Sequence, residues 1–219
     1  MSPAACPVCT APGPAPYLSD RGRDYWVCAA CEACFLDPAQ HLPRSAERAH
    51  YLHHRNDPAD PGYRRFLSKL AGPLLARLPA ASDGLDYGCG PGPALAHMLR
   101  DAGHDVALYD PFFQPDTGPL DWSYDFVSCT ETAEHFHHPA AEFARMMALV
   151  RPGGLLAVMT SFHPGKAGFL DWPYRQDATH VVFYRAETFR HLAERQGWTC
   201  EIPVPDVAFL LRPPAPAET

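Results

Sequence analysis

The stretch Leu85-Asp86-Tyr87-Gly88-Cys89-Gly90-Pro91-Gly92-Pro93 joins a short apolar run to an acidic residue and three alternating glycines. A helix-like run over residues 94–100 follows it. This order predicts a strand that leads into a tight turn at the N-terminus of a helix. Because glycine has no Cβ and tolerates positive φ, a nucleoside-type ligand can lie directly against such a turn. The N–H groups exposed at a helix N-terminus also favour a carboxylate or a phosphate there.

The pattern D-x-G-C-G-P-G within this stretch resembles motif I of the class I S-adenosylmethionine (SAM) dependent methyltransferases. The resemblance implies an α/β fold with a Rossmann-like, doubly wound sheet and a SAM site at the turn. A glycine-rich turn of some other α/β protein is the alternative. The residues that the resemblance places at the cofactor are Asp86, Tyr87, Gly88, Cys89, Gly90, Pro91 and Gly92.

Length and composition bound the class of the protein. With 219 residues, 47% of them hydrophobic, the chain holds one sizeable α/β domain and a small appendage. Its net charge of −7 and its lack of a long basic run argue against a broad nucleic-acid-binding surface. No apolar run approaches the roughly 20 residues of a membrane span, and the first residues lack the apolar core of a signal peptide. We therefore expect a soluble cytoplasmic protein with no membrane partner.

Two C-x-x-C knuckles, Cys6–Cys9 and Cys28–Cys31, stand 18 residues apart. Four thiolates from Cys6, Cys9, Cys28 and Cys31 suit the closed tetrahedral site of a structural zinc ion, and the spacing is typical of a zinc ribbon. Cys34 forms a competing knuckle with Cys31. The segment around it resembles the second half of ribbons fused ahead of many bacterial methyltransferases, in which this position is usually apolar. We therefore expect Cys34 to be a small buried hydrophobe; reduced cysteines without a metal are the alternative.

Two helices are predicted between the cysteines and the glycine turn, over residues 45–54 and 63–78. Proline lacks the N–H that an interior helix position donates, so we expect Pro73 to kink or interrupt the second helix. Helices in this position usually cap the cofactor site of methyltransferases of this type. The candidate pocket residues among them are Tyr51, His53, His54 and Tyr63.

A further strand is predicted over residues 106–109, and it ends at Asp110. An acid about 20 residues past the glycines is placed to accept hydrogen bonds from both ribose hydroxyls of a nucleoside. By resemblance, Asp110 is the ribose-binding acid of the SAM site, with Pro111 beside it; a turn-capping aspartate is the alternative. Only 14 residues separate Asp110 from Asp125, so the third strand of the fold is expected to be missing or vestigial. The candidates to cover the adenine ring are then Asp121 and Trp122.

The strand predicted over residues 125–129 carries Thr130-Glu131-Thr132-Ala133-Glu134-His135 at its carboxyl end, where ligands bind in open α/β sheets. E-x-x-E-H resembles the metal-binding element of the ubiquinone-pathway O-methyltransferases and of the small-RNA 3′-end 2′-O-methyltransferases. The resemblance implies that Glu131, Glu134 and His135, on one face of a helix, hold Mg²⁺, Mn²⁺ or Zn²⁺. A glutamate–histidine pair without a metal is the alternative. Thr130 and Glu131 are also expected at the cofactor.

Arg151–Gly154 predicts a tight turn into a fifth core strand over residues 155–160, again as in class I methyltransferases. An aromatic-rich loop follows, and Asp177-Ala178-Thr179-His180-Val181 resembles the D-P-T-H-V segment of many small-molecule methyltransferases. His180 is either a fourth metal ligand or a general base; a histidine that only holds the loop is the alternative. The candidate catalytic residues are His180, His135 and Glu131. The candidates for an apolar pocket wall are Phe162, His163, Phe169, Trp172 and Tyr174.

These expectations describe a SAM-dependent methyltransferase with an N-terminal zinc ribbon. The expected acceptor is an oxygen, nitrogen or carbon nucleophile of a small metabolite, such as a sugar or a quinol-like compound. An RNA methyltransferase whose ribbon reads RNA is one alternative, and a non-catalytic zinc-ribbon adaptor is another. The ribbon either binds nucleic acid or substrate, or braces the fold. The expected segments are the ribbon-like module (1–40), a helical cap or linker (41–83), the SAM-binding domain (84–212) and a flexible tail (213–219).

Overall fold

The computed structural model describes residues 3–52 and 57–216. Its strands are β1 (Ala15–Asp20), β2 (Arg23–Val27), β3 (Cys34–Leu36), β4 (Asp83–Tyr87), β5 (Asp105–Tyr109), β6 (Tyr124–Thr130), β7 (Val150–Met159), β8 (Val182–Phe183), β9 (Thr199–Val204) and β10 (Val207–Leu211). Its helices are α1 (Arg44–Tyr51), α2 (Pro61–Leu75), α3 (Ala94–Asp101), α4 (Pro139–Leu149), α5 (Lys166–Phe169) and α6 (Ala186–Arg195). Within the described ranges, none of these helices is long and apolar enough to cross a membrane.

The larger of two sheets has six strands in the order β5-β4-β6-β7-β10-β9. The first four strands are parallel, and β10 runs antiparallel to both β7 and β9. The sheet separates two buried clusters: Leu70 of α2 and Leu99 of α3 belong to one, and Phe143 of α4 and Phe189 of α6 belong to the other. Helices on both faces explain why the inner strands are apolar without alternation. The predicted α/β fold with a Rossmann-like sheet is confirmed.

The third strand of the fold is absent from the described residues between β5 and β6, as the short distance from Asp110 to Asp125 in the sequence predicts. β5 is an edge strand, because no strand in the described part of the chain pairs with its outer side. Beyond it, Asp110 and Gln114 exchange backbone hydrogen bonds of 3.1 and 3.0 Å and so close a turn. Pro111, Pro115 and Pro119 lack the N–H groups that a strand ladder needs, and a short 3₁₀ turn at Gly118–Asp121 takes the place of the missing elements.

The helical cap differs from its prediction in one respect. Of the two outcomes expected at Pro73, a kink or an interruption, the interruption is wrong, because α2 continues through Pro73 and ends at Leu75, three residues before its predicted end. The missing N–H costs one hydrogen bond near the end of the helix, whereas Leu70 and Leu74 are fully buried and hold its last turns on the core. His53 and His54, predicted as pocket candidates, lie outside the described residues.

The segment Arg151–Gly154 also differs from its prediction, because it forms the first part of β7 rather than a turn before it. An irregularity in the pairing with β6 accommodates the extra residues, and Gly153 has a φ of 83°. The Arg151 guanidinium donates to the carboxylates of Asp83 and Asp125 at 3.0 Å each. These ion pairs join the N-terminal ends of three adjacent strands, at the opposite edge from the glycine turn.

The smaller sheet has the order β1-β2-β3-β8, so its last strand comes from the C-terminal third of the chain. β3 pairs with β8 through Phe35 and Val182. Cys31 of the N-terminal module belongs to the same buried cluster as Leu156 of the larger sheet. The N-terminal module therefore shares one hydrophobic core with the rest of the fold.

The aromatic-rich loop after β7 packs on this module. Phe169 is fully buried, and its ring lies edge-on to Tyr17 and Tyr25 at centroid distances of 5.3 and 5.2 Å. The loop thus attaches the hairpin of β1 and β2 to the body of the protein.

Candidate active site

A cavity of about 820 Å³ opens at the carboxyl ends of β4, β5 and β6. The segments that follow these strands form its floor, and helices α1 and α2 contribute to its walls. Its volume is in the range of sites that take cofactor-sized ligands. The predicted cofactor residues that line it are Asp86, Tyr87, Gly88, Cys89, Gly90, Pro91, Asp110, Pro111, Thr130 and Glu131, whereas Gly92 does not.

The glycine turn bends across the end of β5. The N–H groups of Gly88 and Cys89 donate to the carbonyl oxygen of Tyr109 at 2.7 and 3.2 Å. Gly88 has a φ of 78°, and a Cβ added there would lie 2.2 Å from Cγ2 of Thr132. Glycine is therefore required at this position both for its positive φ and for the close approach of the segment that carries Thr132.

Asp110 connects the glycine turn to the segment after β5. Its Oδ2 accepts a hydrogen bond of 3.0 Å from the N–H of Gly90. Its Oδ1 accepts hydrogen bonds of 2.8 and 3.0 Å from the N–H groups of Phe112 and Phe113. The carboxylate lines the cavity with 7% of the residue exposed, so it presents its remaining lone pairs to a ligand there.

Two aromatic residues after Asp110, which were not predicted there from the sequence, form part of the cavity wall. Phe112 and Phe113 line the cavity, and the Arg44 guanidinium stacks over the Phe112 ring at 4.9 Å. Their position in the sequence could have indicated this role, since both phenylalanines directly follow Asp110-Pro111, which was already assigned to the cofactor site. Trp122, a candidate to cover the adenine ring, is 70% exposed. Neither it nor Asp121 lines the cavity.

The segment after β6 is a turn rather than the predicted helix. Glu131 has a φ of 48°, and its N–H donates to the carbonyl oxygen of Met159 at 2.8 Å. Only Ala133–His135 is helical, as a single 3₁₀ turn. The two glutamates nevertheless meet at one group, because the Tyr174 hydroxyl lies 2.5 Å from Oε1 of Glu134 and 3.1 Å from Oε2 of Glu131. Burial, and then the charge of Glu134, raise the pKa of Glu131 to about 9.

The rings of His135 and His180 contact each other edge to face beside this acidic pair, with ring centroids 4.7 Å apart. Nδ1 of His180 donates to the carbonyl oxygen of Tyr174 at 2.7 Å, and Nδ1 of His135 donates to that of Thr179 at 3.2 Å. A carbonyl oxygen only accepts, so Nε2 is the basic nitrogen of each ring when that ring is neutral. Burial lowers the pKa of His180 and favours its neutral form.

One ligand atom from each of Glu134, His135 and His180 lies within 4.8 Å of the others, and we call these residues the acceptor-side cluster. Glu131, which was predicted as a ligand, is outside it because its backbone turns away from the helical position. Two imidazoles and one carboxylate, with both rings oriented by backbone carbonyls, fit a divalent ion such as Mn²⁺ or Zn²⁺. The fit rests on the donor set and on the buried charge of Glu134, which is 1% exposed.

Comparison with protein families assigns this geometry to a known class. Residues 51–201, more than half of the chain, match a family model described as a methyltransferase domain. The chain belongs to this methyltransferase family. The predicted enzyme class, a SAM-dependent methyltransferase, is thereby confirmed. No curated protein matches the chain.

Solved structures show the same fold for this methyltransferase. One is the 1,6-didemethyltoxoflavin-N1-methyltransferase of Burkholderia thailandensis with bound S-adenosylhomocysteine (TM-score 0.51, 18% identity, covering 90% of this chain and 96% of that one). A second is an O-methyltransferase family protein of the same organism (0.52, 15%, 78% and 64%). A third is from a complex between the Haloferax volcanii Trm112 methyltransferase activator and a candidate methyltransferase (0.53, 14%, 76% and 97%).

Helix α1 covers the acceptor-side cluster of the methyltransferase. Nε2 of His137 lies 2.7 Å from Oε1 of Glu47, and Nε2 of His50 lies 3.1 Å from Oδ2 of Asp177. Tyr51 and Tyr63, predicted as pocket residues, line the cavity. The predicted apolar wall does not, since none of Phe162, His163, Phe169, Trp172 and Tyr174 lines it.

The four predicted zinc ligands of the methyltransferase come together in the N-terminal module. Sγ of Cys6 lies 3.7 Å from Sγ of Cys31, and Sγ of Cys9 lies 3.6 Å from Sγ of Cys28. A tetrahedral zinc–thiolate site places its sulfurs about 3.8 Å apart, so the arrangement fits a structural zinc ion. Cys34 is fully buried and lies outside this group of four.

The pKa of Asp86 leads to a prediction about stability. Burial raises the pKa of this carboxyl from its ordinary value of 3.8 to about 6, although the Ser128 hydroxyl donates to it at 2.9 Å. The folded state therefore binds the proton more tightly, and the contribution of Asp86 to stability is lost as the pH rises from about 4 to 6. We expect the difference in free energy of unfolding, Asp86→Asn minus wild type, to increase by about 3 kcal/mol as the pH rises from 4 to 7.

Urea unfolding of both proteins across this pH range measures the difference directly. Titrations elsewhere in the chain cancel because they are common to the two proteins. A difference that stays constant with pH would show that Asp86 does not titrate as the structure indicates.

Proposed function

We propose that this methyltransferase transfers the methyl group of SAM to a hydroxyl oxygen of a small metabolite, such as a sugar or a quinol-like compound. The observation that carries the proposal is the acceptor-side cluster, which lines the same cavity as the glycine turn and Asp110. A base and a methyl-donor site within one cavity of cofactor size suit transfer to an acceptor that is held beside the donor.

On the cofactor side, the proposal assigns roles to the residues around the glycine turn. SAM supplies an electrophilic methyl group on a sulfonium. Asp110 accepts hydrogen bonds from the ribose hydroxyls, and its link to Gly90 keeps the turn fixed while it does so. The absence of side chains at Gly88 and Gly90 lets the backbone approach the nucleoside, and Phe112 and Phe113 offer the apolar surface for its base.

On the acceptor side, His180 acts through Nε2, whose single lone pair serves either as a base or as a metal ligand. Its Nδ1–H bond to the Tyr174 carbonyl fixes the ring and its tautomer. Without an ion, Nε2 would take the proton of the attacking hydroxyl. With a divalent ion such as Mn²⁺ held by Glu134, His135 and His180, the ion would supply Lewis acidity that lowers the pKa of the acceptor hydroxyl, and the proton would pass to solvent. Glu131, nearly neutral at pH 7 because of its raised pKa, stays beside this cluster through the Tyr174 hydroxyl.

The charges that line the cavity favour a small acceptor over RNA. Within the described residues, the lining has seven carboxyl groups, one of them the nearly neutral Glu131, and only one guanidinium or ammonium group, that of Arg44. A phosphate backbone would require the opposite balance. The glycine turn and Asp110, which line one cavity and are joined by the Gly90–Asp110 hydrogen bond, support a cofactor site and so favour the enzyme over the non-catalytic alternative.

A methylation screen tests the proposal. We expect transfer of radiolabel from SAM to members of a panel of catechols, quinols and sugars in the presence of Mn²⁺. His180→Ala should lower the rate about 100-fold or more, because it removes the Nε2 that either takes the proton or binds the ion, and a positioned general base alone contributes that much. The exposed His97→Ala is the matched control and should behave as the wild type. Activity on total RNA that falls steeply with salt, with none on the panel, would favour the RNA alternative instead.

A further inference from the structure

The hairpin of β1 and β2 reaches the acceptor side of the cavity through one arginine. Nη1 of Arg23 donates to the carbonyl oxygens of Arg175 and Asp177 at 3.0 and 3.3 Å. Nη2 of Arg23 donates to the carbonyl oxygen of His180 at 3.2 Å. A single guanidinium thus joins three backbone carbonyls of residues 175–180, the segment that carries both Asp177 and His180.

A second contact fixes the same segment to the same hairpin. The Arg175 side chain, 5% exposed, donates to the Asp20 carboxylate at 2.6 Å and to the carbonyl oxygen of Leu170. Asp20 ends β1 and Arg23 begins β2, so both sides of the hairpin turn hold the segment. The planar fork of arginine suits several acceptors in fixed directions, which lysine cannot match.

The orientation of these peptide groups matters because the segment carries His180 and contacts the other two residues of the acceptor-side cluster. The carbonyl oxygen of Thr179, within the segment, accepts the Nδ1–H of His135. The N–H of Val181 donates to the carbonyl oxygen of Glu134 at 2.8 Å. The positions of all three cluster residues therefore depend on the conformation of residues 175–180, whose carbonyl oxygens Arg23 binds.

We infer that Arg23 is a positioning residue that holds residues 175–180 in the conformation in which Glu134, His135 and His180 converge. The N-terminal module then serves as a brace for the acceptor side of the cavity. The inference rests on the proposed function only for the role of the cluster in acceptor activation. The contacts of Arg23 do not depend on that role.

The test compares Arg23→Ala and Arg23→Lys with Arg21→Ala, which removes an exposed arginine from the same hairpin turn. Mn²⁺ affinity is measured by electron paramagnetic resonance, S-adenosylhomocysteine affinity by calorimetry, and amide exchange by mass spectrometry. We expect Arg23→Ala to weaken Mn²⁺ binding about 10-fold to 100-fold, as loss of outer-shell support does. Exchange should rise in peptides that cover residues 174–182 and not in those that cover 84–95. Arg23→Lys should resemble Arg23→Ala, and Arg21→Ala should resemble the wild type.

Unchanged zinc content and S-adenosylhomocysteine affinity in Arg23→Ala establish that the variant is folded. Wild-type Mn²⁺ affinity and wild-type exchange over 174–182 in Arg23→Ala would overturn the inference, and so would full restoration by lysine, which would leave charge as the only requirement. If the wild type itself binds no Mn²⁺, the proposed metal site fails. In that case the exchange comparison still decides the role of Arg23.

Discussion

Asp110→Ala is expected to weaken S-adenosylhomocysteine binding about 100-fold or more. The carboxylate accepts backbone hydrogen bonds from both the glycine turn and the segment that follows β5. In the proposed cofactor site, its loss removes the acceptor for the ribose hydroxyls, and it leaves the N–H of Gly90 without the Asp110 partner. Hydrogen bonds to a charged group contribute about 1.5–3 kcal/mol each, so two of them account for a change of this size. Calorimetric titration of S-adenosylhomocysteine into zinc-replete protein measures it.

Asp116→Ala provides the matched control. Asp116 is an exposed acid of the same loop, six residues after Asp110, and its carboxylate accepts a hydrogen bond of 2.9 Å from the N–H of Gly118. It removes the same charge and should leave the affinity within about twofold of the wild type, as expected for a surface site away from the ligand. Asp110→Asn keeps the shape and should give an intermediate loss. An affinity of Asp110→Ala close to that of the control would show that ribose is held elsewhere.

The parts of this site that the sequence predicts are those set by neighbouring residues. The strand, turn and helix around Gly88 follow from one continuous stretch, because the apolar run, the glycines and the helical periodicity are local signals. The missing third strand is likewise local, since 14 residues with three prolines between Asp110 and Asp125 leave no room for it.

The remaining parts depend on contacts that no local pattern encodes. Glu131 leaves the helical position because its N–H bonds to Met159, a residue of the neighbouring strand. Tyr174 reaches both glutamates from a loop at least 40 residues further along the chain, and Arg23 reaches the segment of His180 across more than 150 residues. Such contacts join residues that are far apart in the sequence, so they depend on how the whole chain folds and not on local spacing.

Cys31→Ser is expected to cause the largest loss of stability. It should release zinc and lower the melting temperature by about 10 °C or more, since each 1 kcal/mol shifts a chain of this size by about 2–4 °C. Structural zinc binding contributes about 10–16 kcal/mol in isolated zinc-finger peptides, so even partial loss exceeds 3 kcal/mol. Calorimetric melting with zinc analysis of the purified protein measures both effects.

Cys34→Ala distinguishes the two possible knuckles. This buried thiol lies next to the cluster in the sequence but outside it in space, so its loss should leave one zinc per chain and cost only a small cavity. Loss of zinc in Cys34→Ala and its retention in Cys31→Ser would reverse the assignment.

The number of transitions in the melting curve of Cys31→Ser shows whether the N-terminal module unfolds together with the rest of the chain. β3 pairs with β8, and the cysteines lie in one buried cluster with the larger sheet, so Cys31→Ser should shift a single transition. A module that folds on its own would instead melt early and leave the main transition in place. A single shifted transition, together with weakened Mn²⁺ binding in Arg23→Ala, would mean that the zinc ion stabilises the acceptor side of the cavity through the hairpin that it anchors.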